Sequence, residues 1–373
     1  MMDREPGTRV QALGIVRLDS LTSLRFVAAL MVFAIHCSGL LRFRGIRYHE
    51  LSLIIHTTTQ GTAGVSFFFI LSGFVLTWSH REGDRPFTFW RRRVARIVPS
   101  YWLTWCVGLI IIGASVPTAI IGFFLLQSWI PISRYYFAGN GVAWSLSCEA
   151  FFYALFPLLL IFFRRYWSSK RQMWALGAVT VFIIGWPLLW HSTIDKGIRY
   201  WVTFIFPPAR LPEFCLGMLL GLAVRRGARS RIPLEAALVF AAAGYLAAGF
   251  VPNYATWSAV TVIPFAILIY SAASADLDHG SSLLHRRWLV RLGEWSYCFY
   301  LIHDLVLRVV SNYVKDHHYF IHHLARSFSV SLVSVTGAFV VSVVLAGIVY
   351  TFWERPLEKR IRGKGPPRLT MAT

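Results

Sequence analysis

Residues 21–40 read LTSLRFVAALMVFAIHCSGL, an apolar run of spanning length that holds two ionisable side chains, Arg25 and His36. About 20 predominantly apolar residues are what a helix needs to cross a bilayer. A charge at bilayer depth costs several kcal/mol and by default marks a functional site. No carboxylate stands beside either residue within the run.

Comparable runs recur to the end of the chain, and with 56% hydrophobic and 14% charged residues the composition belongs to the membrane class. Run length and breakers predict an all-α, polytopic helical bundle. Its ten spans fall near 21–41, 63–79, 99–115, 142–163, 172–190, 201–224, 233–251, 256–273, 290–312 and 327–353. PTAIIGFFLLQSWIP, residues 117–131, is bracketed by prolines and too short to cross, so it reads as interfacial or re-entrant. The expected organisation is a cytoplasmic N-terminal segment 1–20, a transmembrane domain 21–356 and a cytoplasmic, disordered tail 357–373, with no separate soluble domain and no cleaved signal.

A net charge of +20 would suit a nucleic-acid binder in a soluble protein. Here the basic residues cluster between apolar runs and concentrate on one predicted side, which is a topology signal. No nucleic-acid partner is expected, and both termini are placed in the cytoplasm. The excess of Arg over Lys, 32 to 5, fits a GC-rich bacterial genome and so a bacterial cell membrane. The five cysteines lie singly in apolar runs and read as packing residues. His317, His318, His322 and His323 in DHHYFIHH read as incidental loop residues, and no metal site is expected.

Helical rise places the intramembrane charges by depth. His36 lies eleven residues beyond Arg25, roughly 16 Å further out. Glu149 in WSLSCEAFFY enters from outside and is expected about 10 Å below the outer surface, level with His36. Arg210 and Glu213 in PPARLPEF, and His303 with Asp304 in SYCFYLIHD, fall slightly deeper. Such groups must face the bundle interior. One reading is a buried salt-bridge network of Arg210, Glu149 and Glu213 that fixes helix register. The other is a polar chamber in which His36 acts as a base, oriented by Glu149 or Glu213. At the cytoplasmic entrance, FTFWRRRVARIVPSYW puts Arg93 and Arg96 on one helix face, where forked donors suit phosphate. Arg91 and Arg92 read as orientation anchors.

Taken in order, these pieces resemble the acyltransferase 3 family from about Leu21 to Pro356. They are Arg25 with His36 eleven residues on, FFFILSGF (67–74), RRRVARIVPSYW (91–102), WSLSCEAFFY (144–153), PEFCLGMLLG (212–221), SYCFYLIH (296–303) and FWERP (352–356). The resemblance implies an enzyme that moves an acyl group, usually acetyl, from cytoplasmic acyl-CoA to a hydroxyl of a carbohydrate or glycosylated molecule. Acyl-CoA would be a co-substrate, with no bound cofactor. Stand-alone members of this size include enzymes that acylate sugars of macrolides, polysaccharide O-antigens or lipo-oligosaccharides. The family's essential Arg and His map onto Arg25 and His36, its donor-holding Arg-x-x-Arg onto Arg93 and Arg96, and its WSL glutamate and SYxxYLxH histidine onto Glu149 and His303.

Direct attack by the acceptor hydroxyl and an acyl-imidazole on His36 are both open, with direct transfer preferred. Arg25, Tyr153, Tyr300 and the backbone around Ser72 and Gly73 are candidates for stabilising the oxyanion, although Ser72-Gly73 equally suits a small-residue helix contact. The competing reading of the same charges is a transporter or flippase for a sugar-containing molecule.

Overall fold

The computed structural model describes residues 16–41, 60–165, 168–190, 195–251, 258–278, 280, 282–316 and 328–362. Among these the secondary structure is helical, with no strand. Ten principal helices occupy the ten predicted positions: α1 Asp19–Leu41, α2 Ala63–Trp78, α3 Pro86–Ile112, α4 Trp144–Arg165, α5 Ser169–Leu189, α6 Pro207–Arg225, α7 Leu234–Ala247, α8 Val262–Leu277, α9 Arg287–Asp316 and α10 Phe328–Val349. The histidine-rich loop 317–323 and the expected terminal segments up to residue 15 and from residue 363 lie outside the described residues.

Seven helical stretches among the described residues are long and apolar enough to cross a membrane, fewer than the ten expected spans. The reason is specific to each exception. Leu234–Phe250 and Val262–Leu277 are apolar but shorter. The 30-residue helix α9 is long, but it carries polar and charged residues along its length, and Ser296, His303 and Asp304 are turned into the bundle.

Helix α2 is the centre of the bundle, buried over most of its length between α1 and α6. Its approach to α6 needs glycine: a Cβ on Gly217 would stand 1.8 Å from the Ile70 carbonyl oxygen. Small residues at such contacts let helix backbones approach closely. Phe69, Phe152 and Phe214 join α2, α4 and α6 through ring contacts of 5.1 Å. Phe26 and Phe33 join α1 to Phe299 of α9 at 5.4 and 5.7 Å.

The segment between α3 and α4 folds back into the protein. Its helix Val116–Phe123 has eight residues, far short of a span, in keeping with the re-entrant reading. Tyr101 donates to the Gly122 carbonyl at 2.5 Å, and Trp102 stacks on Phe123 at 4.7 Å. The chain then runs inward: buried Gln127 and Ser128 donate to the carbonyls of Ala143 and Trp144, and Asn140 donates to that of Leu301. These bonds give the buried polar side chains partners and tie the segment to the start of α4 and to α9.

Candidate active site

A cavity of about 140 Å³ lies among α1, α2, α3, α4 and α9. Its polar wall consists of Arg25, Ser72, Arg93, Arg96, Ser145, Glu149, Tyr153, Ser296, Tyr297 and Tyr300. Seven residues singled out in the sequence thus meet on one surface, although they come from five helices. Tyr153, one helical turn beyond Glu149, donates to its Oε2 at 3.0 Å and sits 3.2 Å from the Ser72 hydroxyl. Ser72 therefore belongs to the cavity, whereas Gly73 is a helix contact, with its would-be Cβ 2.0 Å from the Phe214 carbonyl oxygen.

The three arginines of this wall differ. Arg96 is ion-paired with Glu354 and lies 3.3 Å from Glu358. Glu354 ends a π-helical turn, Tyr350–Glu354, and its fully buried carboxylate also accepts from Ser100 at 3.1 Å and from the Cys298 thiol at 2.8 Å. Arg96 is thus occupied by the protein. Arg25 and Arg93 form no ion pair among the described residues, and the buried Nε of Arg93 has no hydrogen-bond partner there. Two guanidinium groups without a bound carboxylate therefore face one cavity, with Glu149 as the carboxylate that shares it.

His36 lies outside this cavity lining. Its Nδ1 is 2.7 Å from the Val32 carbonyl oxygen and 3.4 Å from Nε2 of His303, and the two rings meet edge to face at 5.1 Å. Asp304, the next residue along, is held by Arg308 at 2.8 Å. Tyr300 is the link: it lines the cavity, its hydroxyl is 2.8 Å from that of Ser145, and its ring packs 5.9 Å from His303. Tyr297 and Tyr300, three residues apart, share the cavity-lining side of α9, whereas His303, one turn further, packs against Phe33 of α1.

The expected single layer of charges is instead three clusters. Glu149 lines one cavity with Arg25, whereas His36, expected at its level, lies outside that lining. Arg210 and Glu213 form a third, separate pair, 2% and 1% exposed, 3.0 Å apart. Arg210 also donates to Ser66 at 2.9 Å and lies over Phe204 at 4.9 Å. This pair matches the register-fixing reading, but without Glu149. Glu354 and Tyr297 carried no assigned role in the sequence. Glu354 is a carboxylate at the end of an apolar run, and Tyr297 stands three residues before Tyr300, so both signals were present.

The fold and site are those of a bundle of membrane-spanning length with an arginine-lined polar cavity and a histidine pair beside it. The sequence matches the Acyltransferase domain family, acyltransferase 3, over residues 18–351, and the chain belongs to that family. It is similar to Acyltransferase MdmB of Streptomyces mycarofaciens, 34% identical over 95% of both chains. It is also similar to the Exopolysaccharide production protein ExoZ of Rhizobium meliloti (strain 1021), 27% identical over 85% of this chain and 96% of that one. O-acetyltransferase OatA of Staphylococcus aureus (strain NCTC 8325 / PS 47) is 24% identical over 83% of this chain and 55% of its own length. No solved structure matches. The protein is therefore a membrane acyltransferase, and the transporter alternative gives way to the enzyme.

Proposed function

We propose that this enzyme transfers an acyl group, in the first instance acetyl, from acyl-CoA to a hydroxyl of a carbohydrate or a glycosylated small molecule such as a macrolide sugar. The carrying observation is the pair of guanidinium groups, Arg25 and Arg93, left without ion pairs on a single cavity. Forked guanidinium donors bind phosphate oxygens in a bidentate manner, and a phosphorylated donor supplies them. Arg96, tied to Glu354, builds the wall behind this subsite. Glu149 and Tyr153 supply the countercharge and hydrogen bond that keep Arg25 directed into the cavity.

The pantetheine arm then runs past Tyr297 and Tyr300, the α9 side chains that line the cavity, toward His36. At His36 the acceptor O–H gives its proton to Nε2 while its oxygen attacks the thioester carbonyl. The tetrahedral intermediate collapses with cleavage of the C–S bond, and the leaving thiolate takes the proton back from the imidazolium. An exopolysaccharide protein and an O-acetyltransferase among the relatives support a sugar hydroxyl as acceptor. The catalytic unit is assigned to residues 21–356 of a bacterial cell-membrane protein with cytoplasmic termini.

The test is thiol release from acetyl-, propionyl- and longer acyl-CoA by membranes holding wild type, His36→Ala or Arg93→Ala, with and without sugar-bearing acceptors. Acceptor-dependent release in wild type, abolished in His36→Ala, is expected. Release that is equal in all samples would overturn the reading.

A further inference from the structure

The geometry points to His303 as a positioning residue of this reaction: it is the second acceptor, beside the Val32 carbonyl, for the proton on Nδ1 of His36, and it does not bind the acyl acceptor. This inference rests on the reading of His36 as the base. It begins with the Phe299 carbonyl oxygen, 3.2 Å from Nδ1 of His303. A carbonyl only accepts, so the His303 proton sits on Nδ1 and the lone pair of the neutral ring on Nε2. That lone pair is 3.4 Å from Nδ1 of His36, at the long end of hydrogen-bonding range.

The same reasoning applies to His36. The Val32 carbonyl oxygen, 2.7 Å from its Nδ1, requires a proton there. Two acceptors, the Val32 oxygen and His303 Nε2, therefore converge on one N–H. The consequence is that the lone pair of neutral His36 lies on Nε2, the atom a general base needs. When Nε2 takes the acceptor proton, the imidazolium charge is met at Nδ1 by both acceptors at no cost of reorganisation. An aspartate does this for the histidine of a serine-hydrolase triad. Here a neutral imidazole takes that place.

His303 is built to stay neutral and still. It is fully buried, stacked on Phe299 at 5.8 Å with 17° between the rings, and edge-on to Phe33 at 6.1 Å. A fully buried ring with Nδ1 tied to its own helix has no surface to offer a sugar. Asp304 and Arg308 neutralise each other beside it, so neither is free to take the role.

Two substitutions of different reach test this. In His303→Asn the amide still donates to Phe299 but falls short of His36, whereas in His303→Gln the carbonyl oxygen extends to about where Nε2 stands. Purified enzyme in nanodiscs is assayed for kcat and KM with acetyl-CoA and the sugar-bearing acceptor that wild type turns over fastest. His303→Asn should lower kcat about 10- to 100-fold, the order seen when the partner orienting an imidazole is lost, with both KM values near wild type. His303→Gln should recover most of that loss. Should His303→Asn not fold, His303→Phe, which keeps the ring and removes the acceptor, replaces it. Wild-type kcat in the Asn or Phe variant, or a raised acceptor KM at unchanged kcat, would overturn the proposal while inactive His36→Ala keeps the base reading intact. Activity in His36→Ala would instead overturn the base reading and this proposal with it.

Discussion

Arg96 on α3 and Glu354, 258 residues later, form a buried ion pair at the edge of the cavity. The pair ties the end of the last long helix to α3, and Trp353 reinforces it by donating to the Pro99 carbonyl at 3.0 Å. Of two arginines one helical turn apart, one is structural and its neighbour faces the cavity without an ion pair.

The two should therefore fail differently. Arg96→Ala leaves Glu354 buried and uncompensated, at a cost of about 3 kcal/mol, and should lower the melting temperature of the detergent-solubilised protein. Arg93→Ala should melt near wild type and raise KM for acyl-CoA about 10- to 100-fold, as expected for a charge-assisted hydrogen bond of about 1.5–3 kcal/mol. Equal melting losses in both variants would contradict the division of roles.

Arg25→Lys retains the charge but not the planar fork. Activity is expected to recover only in part relative to Arg25→Ala, with the remaining defect in donor KM. Full recovery by lysine would show that charge alone suffices.

Tyr153→Phe removes the donor to Glu149 and the contact with Ser72 while keeping the ring. A buried acceptor left unmet costs about 1–3 kcal/mol, so a drop of roughly tenfold or more in kcat/KM is expected, with a normal size-exclusion profile. Unchanged kinetics would remove Glu149 from the working part of the cavity.

Gly217→Ala places a methyl group 1.8 Å from the Ile70 carbonyl oxygen, and no side chain can yield there because the obstacle is backbone. Helices α2 and α6 must separate, and Ser66, Ser72 and Arg210 move with them. The expected result is loss of the monodisperse folded fraction by size exclusion; Gly177→Ala, with nothing within 4 Å of its Cβ, is the control.

In the turn before α3, burial pushes the Asp84 carboxyl up, but the hydrogen bond and charge of Arg92, with His80 behind them, outweigh it and hold it below the ordinary carboxylate value. A depressed carboxylate contributes stability that is complete above its unfolded pKa of about 3.9 and is lost as pH falls through its lower folded value. Wild type should exceed Asp84→Asn in melting temperature at neutral pH, by under about 1 kcal/mol for a part-exposed pair, and the two should converge below about pH 4. A difference that persists in acid would assign the effect to something other than this charge.

The helices were legible because bilayer length and apolarity are written locally: each of the ten positions holds a helix, and the short proline-bracketed segment does fold back. Where hydropathy understates a helix, as in α9, the reason is that its polar residues face the site. Arg25, Ser72, Arg93, Glu149, Tyr153 and Tyr300 each stood out in the sequence, but it divided them between a cytoplasmic entrance and an outer layer level with His36, whereas the structure brings them to one cavity. Their partners were not legible. Whether Arg93 or Arg96 is consumed by a carboxylate depends on Glu354, which is far away in sequence.

Sequence alone thus determined an all-α membrane bundle with ionisable groups inside it, since the energetics of burying charge in lipid act on each helix separately, and the order of its motifs pointed to the acyltransferase family to which the chain belongs. Only the tertiary structure decided that Arg210 and Glu213 lie as an ion pair apart from the cavity, that Arg25 and Arg93 share it, and that His36 meets His303. The last two depend on how helices distant in sequence pack, which close backbone contacts such as Gly217 with Ile70 set, and no local pattern encodes them; the Arg210–Glu213 pair is local, three residues apart on α6.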